Sequence, residues 1–210
     1  MRALIKWKFL LFVILLAYQF AWGVELQSKR KAEVLNIESG LSQSWVTALV
    51  VDRYGFLWVG TQDGLNRYDG YSFKKYRNNP LDSTTLCNNN INSICEDAEG
   101  NIWIGSYLNG LIFYRAETSK FSSVKAVDKT GEIATDVRSL FIDKKDRLWV
   151  GSNVGIFVFS SAGKQIAFFP HNKNGLKGSI AEIFIEDEFG NLWIGMFNGG
   201  ICLLQEENIL

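Results

Sequence analysis

Leu57-Trp58-Val59-Gly60-Thr61 recurs along this chain. It returns as Ile102-Trp103-Ile104-Gly105-Ser106, as Leu148-Trp149-Val150-Gly151-Ser152 and as Leu192-Trp193-Ile194-Gly195. The tryptophans stand 45, 46 and 44 residues apart. Self-similarity at such a period marks a unit of supersecondary structure that buries its faces only by stacking on its neighbours.

The match extends outward on both sides. An acid and a turn precede each tryptophan: Asp52 to Gly55, Asp97 to Gly100, Asp143 to Asp146 and Asp187 to Gly190. Asp at the start of a turn can bond its own backbone, and Gly accepts positive φ. Asp146 stands where the other copies have Gly, a replacement the left-handed region tolerates at modest cost. Apolar runs of strand length come before the turns, at Val46 to Val51, Ile91 to Cys95, Val137 to Ile142 and Ile180 to Ile185. The fourth run has one extra residue, read as a bulge. After each tryptophan strand come a Gly turn and a third strand. A fourth strand closes three units, at Ser72 to Tyr76, Lys120 to Val124 and Gln165 to Phe169.

Each unit is therefore four short antiparallel strands, a to d. The fold class is all-β, a β-propeller built from four-stranded antiparallel blades, with four repeats in an open arc or partial ring. The expected division is a signal peptide over 1–23, a lead-in with a closing-type strand over 24–45, and blades at 46–90, 91–136 and 137–179. An incomplete fourth blade fills 180–210. Glu33 to Ile37 reads as the closing-type strand, which would also allow a closed four-bladed ring. Trp58, Trp103, Trp149 and Trp193 read as packing anchors between blades, each burying on the order of 200 Å². The Gly two residues after each would let a neighbouring backbone approach.

Composition agrees. Apolar residues make up 47% and aromatics 14%, which excludes a disordered chain, and 19 Gly against 2 Pro suits many tight turns. The 22 basic and 22 acidic residues balance without a basic stripe, so no nucleic-acid footprint is expected. Arg2, Lys6 and Lys8, then the apolar Phe9 to Phe20, then Ala21 and Gly23 form the pattern of a secretory signal peptide. The apolar run is short for a membrane span. Cys87, Cys95 and Cys202 are odd in number and match no zinc spacing, so metal is not expected.

Gly40-Leu41-Ser42, Val46-Thr47-Ala48-Leu49, Asp52 and Gly55 through Gly70 resemble the opening blade of the two-component regulator propeller repeat family. Asn79 to Thr84 with Asn89 to Asp97 resembles its loop and strand into the second blade. The third copy departs, with Asp146 for Gly and no Arg-Tyr-Asp after Gly155. The resemblance implies an extracytoplasmic ligand-sensing propeller. In the family such propellers usually precede a membrane helix and a cytoplasmic output such as a histidine kinase, and many respond to carbohydrate fragments. It also implies rings larger than four blades, and hence a partial sensor here. No phosphoacceptor box is present, and the single histidine, His171, reads as a loop residue.

Strand alternation sorts the turns onto two ends. The b–c turns and d–a loops share one end, where the candidate ligand residues are Gln62, Asp63, Asn89, Asn90, Tyr107, Asn109, Asn153, Phe197 and Asn198. Amides plus aromatic platforms suit a neutral hydroxylated ligand such as an oligosaccharide. The plainer account is that Asn, Asp and Gly are good turn residues. No catalytic residue and no cofactor are expected. The expected partner is an oligosaccharide or other small ligand, with the membrane reached only through a downstream part and a homodimer as an option for a full-length parent. The expected location is outside the inner membrane, periplasmic or on the cell surface. A protein–protein scaffold, a piece of a split sensor gene and a propeller lyase or hydrolase are the alternatives.

Overall fold

The computed structural model describes residues 32–171 and 176–205. The signal segment at 1–23 lies outside them. Fifteen strands and no helix occur among the described residues. They form four antiparallel sheets in simple meander order.

Blade 1 comprises β1 (Val46–Val51), β2 (Leu57–Thr61), β3 (Gly64–Tyr68) and β4 (Phe73–Tyr76). Blade 2 comprises β5 (Ile91–Glu96), β6 (Ile102–Ser106), β7 (Gly110–Arg115) and β8 (Lys120–Val124). Blade 3 comprises β9 (Val137–Ile142), β10 (Leu148–Ser152), β11 (Gly155–Phe159) and β12 (Gln165–Pro170). Blade 4 has three described strands, β13 (Ala181–Glu186), β14 (Leu192–Met196) and β15 (Gly200–Leu204). Pro170 is tolerated because β12 is an outer edge strand, where a missing N–H breaks no inner ladder.

Three apolar cores lie between successive blades. Trp58 and Leu65 meet Ile91, Ile94 and Ile104 between blades 1 and 2. Trp103 and Leu111 meet Val137, Val150 and Phe157 between blades 2 and 3. Trp149 and Ile156 meet Ala181, Phe184 and Ile194 between blades 3 and 4. Trp149 is 1% exposed, whereas Trp193 is 42% exposed beside the equally uncovered Ile201 and Leu203. A blade buries its tryptophan face only against the next sheet, and blade 4 has none beside it among the described residues.

Two expectations need correction. Glu33 to Ile37 is not a strand. Asn36 starts a turn instead: its Oδ1 accepts from the backbone N–H of Glu38 (2.9 Å) and of Ser39 (3.2 Å), and the N–H of Leu41 returns to its carbonyl. A side chain that satisfies the backbone just after it favours a turn over continuation as a strand. The closing-strand route to a four-bladed ring goes with it. The bulge is also not special to blade 4. The ladder between first and second strands slips in every blade, at Thr47, Asn92, Arg138 and Glu182.

The bulge tilts side chains toward the next blade. Thr47 Oγ1 donates to the Ile91 carbonyl (2.6 Å), and Asn92 Nδ2 donates to the Val137 carbonyl (3.0 Å). Between blades 3 and 4 the neighbouring Ser139 Oγ donates to the Ala181 carbonyl (2.5 Å). These bonds join the innermost strands where glycines leave room. A Cβ added at Gly60 would come within 2.7 Å of Ile91 Cγ2, and one at Gly105 within 2.7 Å of Val137 Cγ1.

Candidate functional site

At one end of the blades the b–c turns and d–a loops are bonded together. Gly64 N–H donates to the Asn89 carbonyl (2.7 Å), Tyr107 N–H to that of Asn90 (3.1 Å), Asn153 N–H to that of Asp136 (3.0 Å) and Phe197 N–H to that of Ile180 (2.8 Å). Strand alternation puts these segments together, and backbone bonds fix them.

Many polar groups at this end are already engaged. Asp63 holds Arg77 Nη2 at 2.5 Å. Asn89 Oδ1 accepts from Asn78 N–H (2.7 Å), and Asn109 Nδ2 donates to the Cys87 carbonyl (2.8 Å). Asn153 Oδ1 accepts from the N–H groups of Thr135 (3.1 Å) and Asp136 (3.0 Å). Asn90 contributes its backbone, its N–H donating to Asn88 Oδ1 (2.7 Å). Asn198 takes φ +55°, the left-handed turn conformation that suits Asn. Gln62, Tyr107 and Phe197 are exposed, with no side-chain hydrogen bond among the described residues. His171 sits beside this end, its Nε2 2.9 Å from the Ser152 carbonyl.

The opposite end carries the a–b turns, and here each turn acid is tied to its tryptophan. The indole N–H donates to the carboxylate six residues earlier: Trp58 to Asp52 (2.7 Å), Trp103 to Asp97 (3.1 Å), Trp149 to Asp143 (2.8 Å) and Trp193 to Asp187 (3.1 Å). The other carboxylate oxygen caps the turn. Asp52 Oδ1, for example, accepts from Tyr54 and Phe56 N–H, both at 2.9 Å. In the third copy Asp146 adopts φ +55° where the other three have Gly at positive φ.

Burial pushes the Asp143 carboxyl up, but bonds from the Trp149 indole and from the Arg147 main chain and guanidinium outweigh it. The net position is below the ordinary 3.8. Turn also grips turn across blades. Arg53 Nε bonds Glu96 Oε1 (3.1 Å) and its Nη2 reaches the Asp97 carbonyl (2.9 Å), while Lys144 Nζ reaches that of Asp187 (2.6 Å).

A cleft of about 640 Å³ opens at this end between blades 1 and 2, over Tyr54, Phe56, Trp58 and Arg67 on one side and Glu99 and Glu117 on the other. Two further clefts lie along blade 3, one at its outer strand β12 and one beside its a–b turn. None of the three is lined by the nine candidate residues. Blade 1 departs from the repeat here. The residue that faces the tryptophan across the b–c ladder is Arg67, against Phe113, Val158 and Leu203 in the other blades. The residue just before the tryptophan strand is Phe56, against Asn101, Arg147 and Asn191. Those three each bond the turn carboxylate. Phe56 has no donor to offer. The Arg67 guanidinium lies 4.4 Å above the Phe56 ring and 5.8 Å from that of Trp58.

Sequence reading did not isolate Arg67, although the broken apolar pattern at its position was visible. It also treated the turn acids and the tryptophans separately, although their constant spacing of six residues links them. Cys87 and Cys95 are free thiols. Among the described residues no group of three or more His, Cys, Asp or Glu is arranged to hold a metal ion.

Comparison with known proteins agrees with this architecture. Residues 40–63, 85–108 and 131–154, the first half of each of blades 1 to 3 with its lead-in, match the family described as two component regulator propeller. A 47-residue stretch is 62% identical to histidine kinase P4 of Formosa agariphila, covering 22% of this chain and 3% of that protein. The extracellular domain of BT3049 of B. thetaiotaomicron, named as a hybrid two component system, superposes with a TM-score of 0.73 at 29% identity, over 84% of this chain and 25% of that one. The corresponding domain of BT4673 gives 0.68 at 26% identity, over 78% and 24%. The chain thus spans about a quarter of the solved domains and a small part of the kinase. With its Trp-anchored blades, the chain matches the two component regulator propeller model in three of its repeats and shares the fold of the extracellular domains of these hybrid two component systems.

Proposed function

We propose that this chain is an extracytoplasmic ligand-sensing module of a two-component sensor, exported by its N-terminal segment and responsive to an oligosaccharide. The observation that carries this reading is the likeness, above 25% identity, to extracellular domains of hybrid two component systems. The matched histidine kinase supports a signalling output for a longer parent. Exposed aromatic rings support a sugar ligand: Tyr54, Tyr107 and Phe197 at the blade ends offer flat apolar faces beside hydrogen-bonding groups.

The module senses rather than catalyses, and it acts on the periplasmic or cell-surface side. Calorimetric titration of the full chain with a panel of neutral and acidic oligosaccharides tests the reading. Saturable binding of one sugar class is the expected outcome. No heat of binding across the panel counts against carbohydrate sensing.

A further inference from the structure

We infer that the cleft between blades 1 and 2 binds a hydroxylated ring carrying a single oxyanion, a carboxylate or a sulfate, with Arg67 as its anchor. This rests on the sensor reading above and adds to it a site and a ligand charge. Arg67 carries a charge where the other three blades place Phe113, Val158 and Leu203 opposite their tryptophans. Arg67 is half-buried, with its guanidinium over the Phe56 ring, 4.4 Å from the centroid. Stacking of this kind orients the fork of N–H donors without using them.

No hydrogen bond or ion pair engages that guanidinium among the described residues. Asp52, the candidate by analogy with the other blades, bonds the Trp58 indole and two turn N–H groups and not Arg67. An arginine with free donors in a cleft fits an oxyanion that offers two oxygens to accept parallel bonds.

The rest of the cleft limits what surrounds that anion. Tyr54 is 71% exposed and offers a ring face at the rim. Glu99, Glu117 and Arg115 line the blade 2 side, and Asp52 the blade 1 side, so carboxylates outnumber the guanidinium groups. Carboxylates accept sugar hydroxyls well but repel a densely charged polymer. One anionic group among hydroxyls is the chemistry that satisfies both sides.

The test is titration of the full chain with a glucuronate-terminated disaccharide, its neutral glucose-terminated counterpart and galactose 6-sulfate. Arg67→Met keeps the apolar stem over Phe56 and removes only the fork. We expect an acidic ligand to bind more tightly than the neutral one, and Arg67→Met to weaken it at least about tenfold. Whichever acidic probe binds identifies the oxyanion. Wild-type affinity should also fall as NaCl rises, a measurement independent of how the variant folds. Equal affinity for the neutral disaccharide, unchanged by Arg67→Met or by salt, overturns the cleft assignment and leaves carbohydrate sensing standing. Failure of all sugars to bind overturns both.

Discussion

Gly105→Ala and Gly195→Ala place the same methyl group at equivalent positions of blades 2 and 4, yet their costs should differ. At Gly105 the new Cβ would crowd Ser93 Oγ of its own blade, a small side chain that can rotate, and lie 2.7 Å from Val137 Cγ1 and 2.9 Å from the Val137 carbonyl oxygen of the next. Carbon atoms rest about 3.5–4.0 Å apart, so the overlap is about 1 Å. Val137 belongs to the next blade and is fully buried, so it has nowhere to go. Blade 3 must move or strain, and overpacking of this kind costs about 1–3 kcal/mol. At Gly195 the Cβ meets only its own blade, at Ile183 Cγ2 (2.6 Å). Ile183 is 56% exposed and can turn toward solvent. Replacing a strand Gly also gains roughly 0.5–1 kcal/mol of backbone entropy, so the net change there should be close to zero. Urea unfolding followed by tryptophan fluorescence, with unchanged slope, reads both values. Equal losses for the two variants would refute the idea that these glycines exist to admit the next blade.

The same asymmetry should appear at the tryptophans. Trp149→Ala should destabilise by about 3–5 kcal/mol, whereas Trp193→Ala, at a half-open site, should lose much less in the same urea titration. Asp143 supplies a pH test. Its carboxyl lies below its ordinary value when folded, so its contribution is complete above the unfolded value and fades as pH falls through the folded one. Asp143→Asn should therefore flatten the fall of the thermal midpoint between about pH 5 and pH 2, and cost about 1.5–3 kcal/mol at pH 7. Asn153→Ala removes the acceptor for two loop N–H groups and should cost about 1 kcal/mol of thermal stability, while Gln62→Ala should cost nothing measurable.

Much of the fold was legible in the chain because its information is local. Strand, acid-bearing turn, tryptophan strand and glycine turn are each set by neighbours within a few residues, and the period repeats them. The misreadings share a cause. Glu33 to Ile37 reads as a strand from its apolar residues, but the chain turns at Asn36 to Gly40. The bulge was assigned to one blade from a count of apolar letters, whereas Thr47, Asn92 and Arg138 show that it belongs to every inner strand. At the candidate face, the amides of Asn89, Asn109 and Asn153 read as ligand donors and acceptors, and only the folded loops reveal that backbone groups already occupy them.

Sequence alone determined that this protein is a run of Trp-anchored propeller blades, because hydrophobic spacing and turn chemistry act over short distances. Tertiary structure decided which of four identical-looking tryptophans is buried, because burial depends on whether another sheet lies against it. It also decided that the Arg67 guanidinium, with no acceptor among the described residues, faces a cleft. Arg67 is one letter in a repeat until blade 2 closes a cleft beside it and the Phe56 ring lies under its guanidinium.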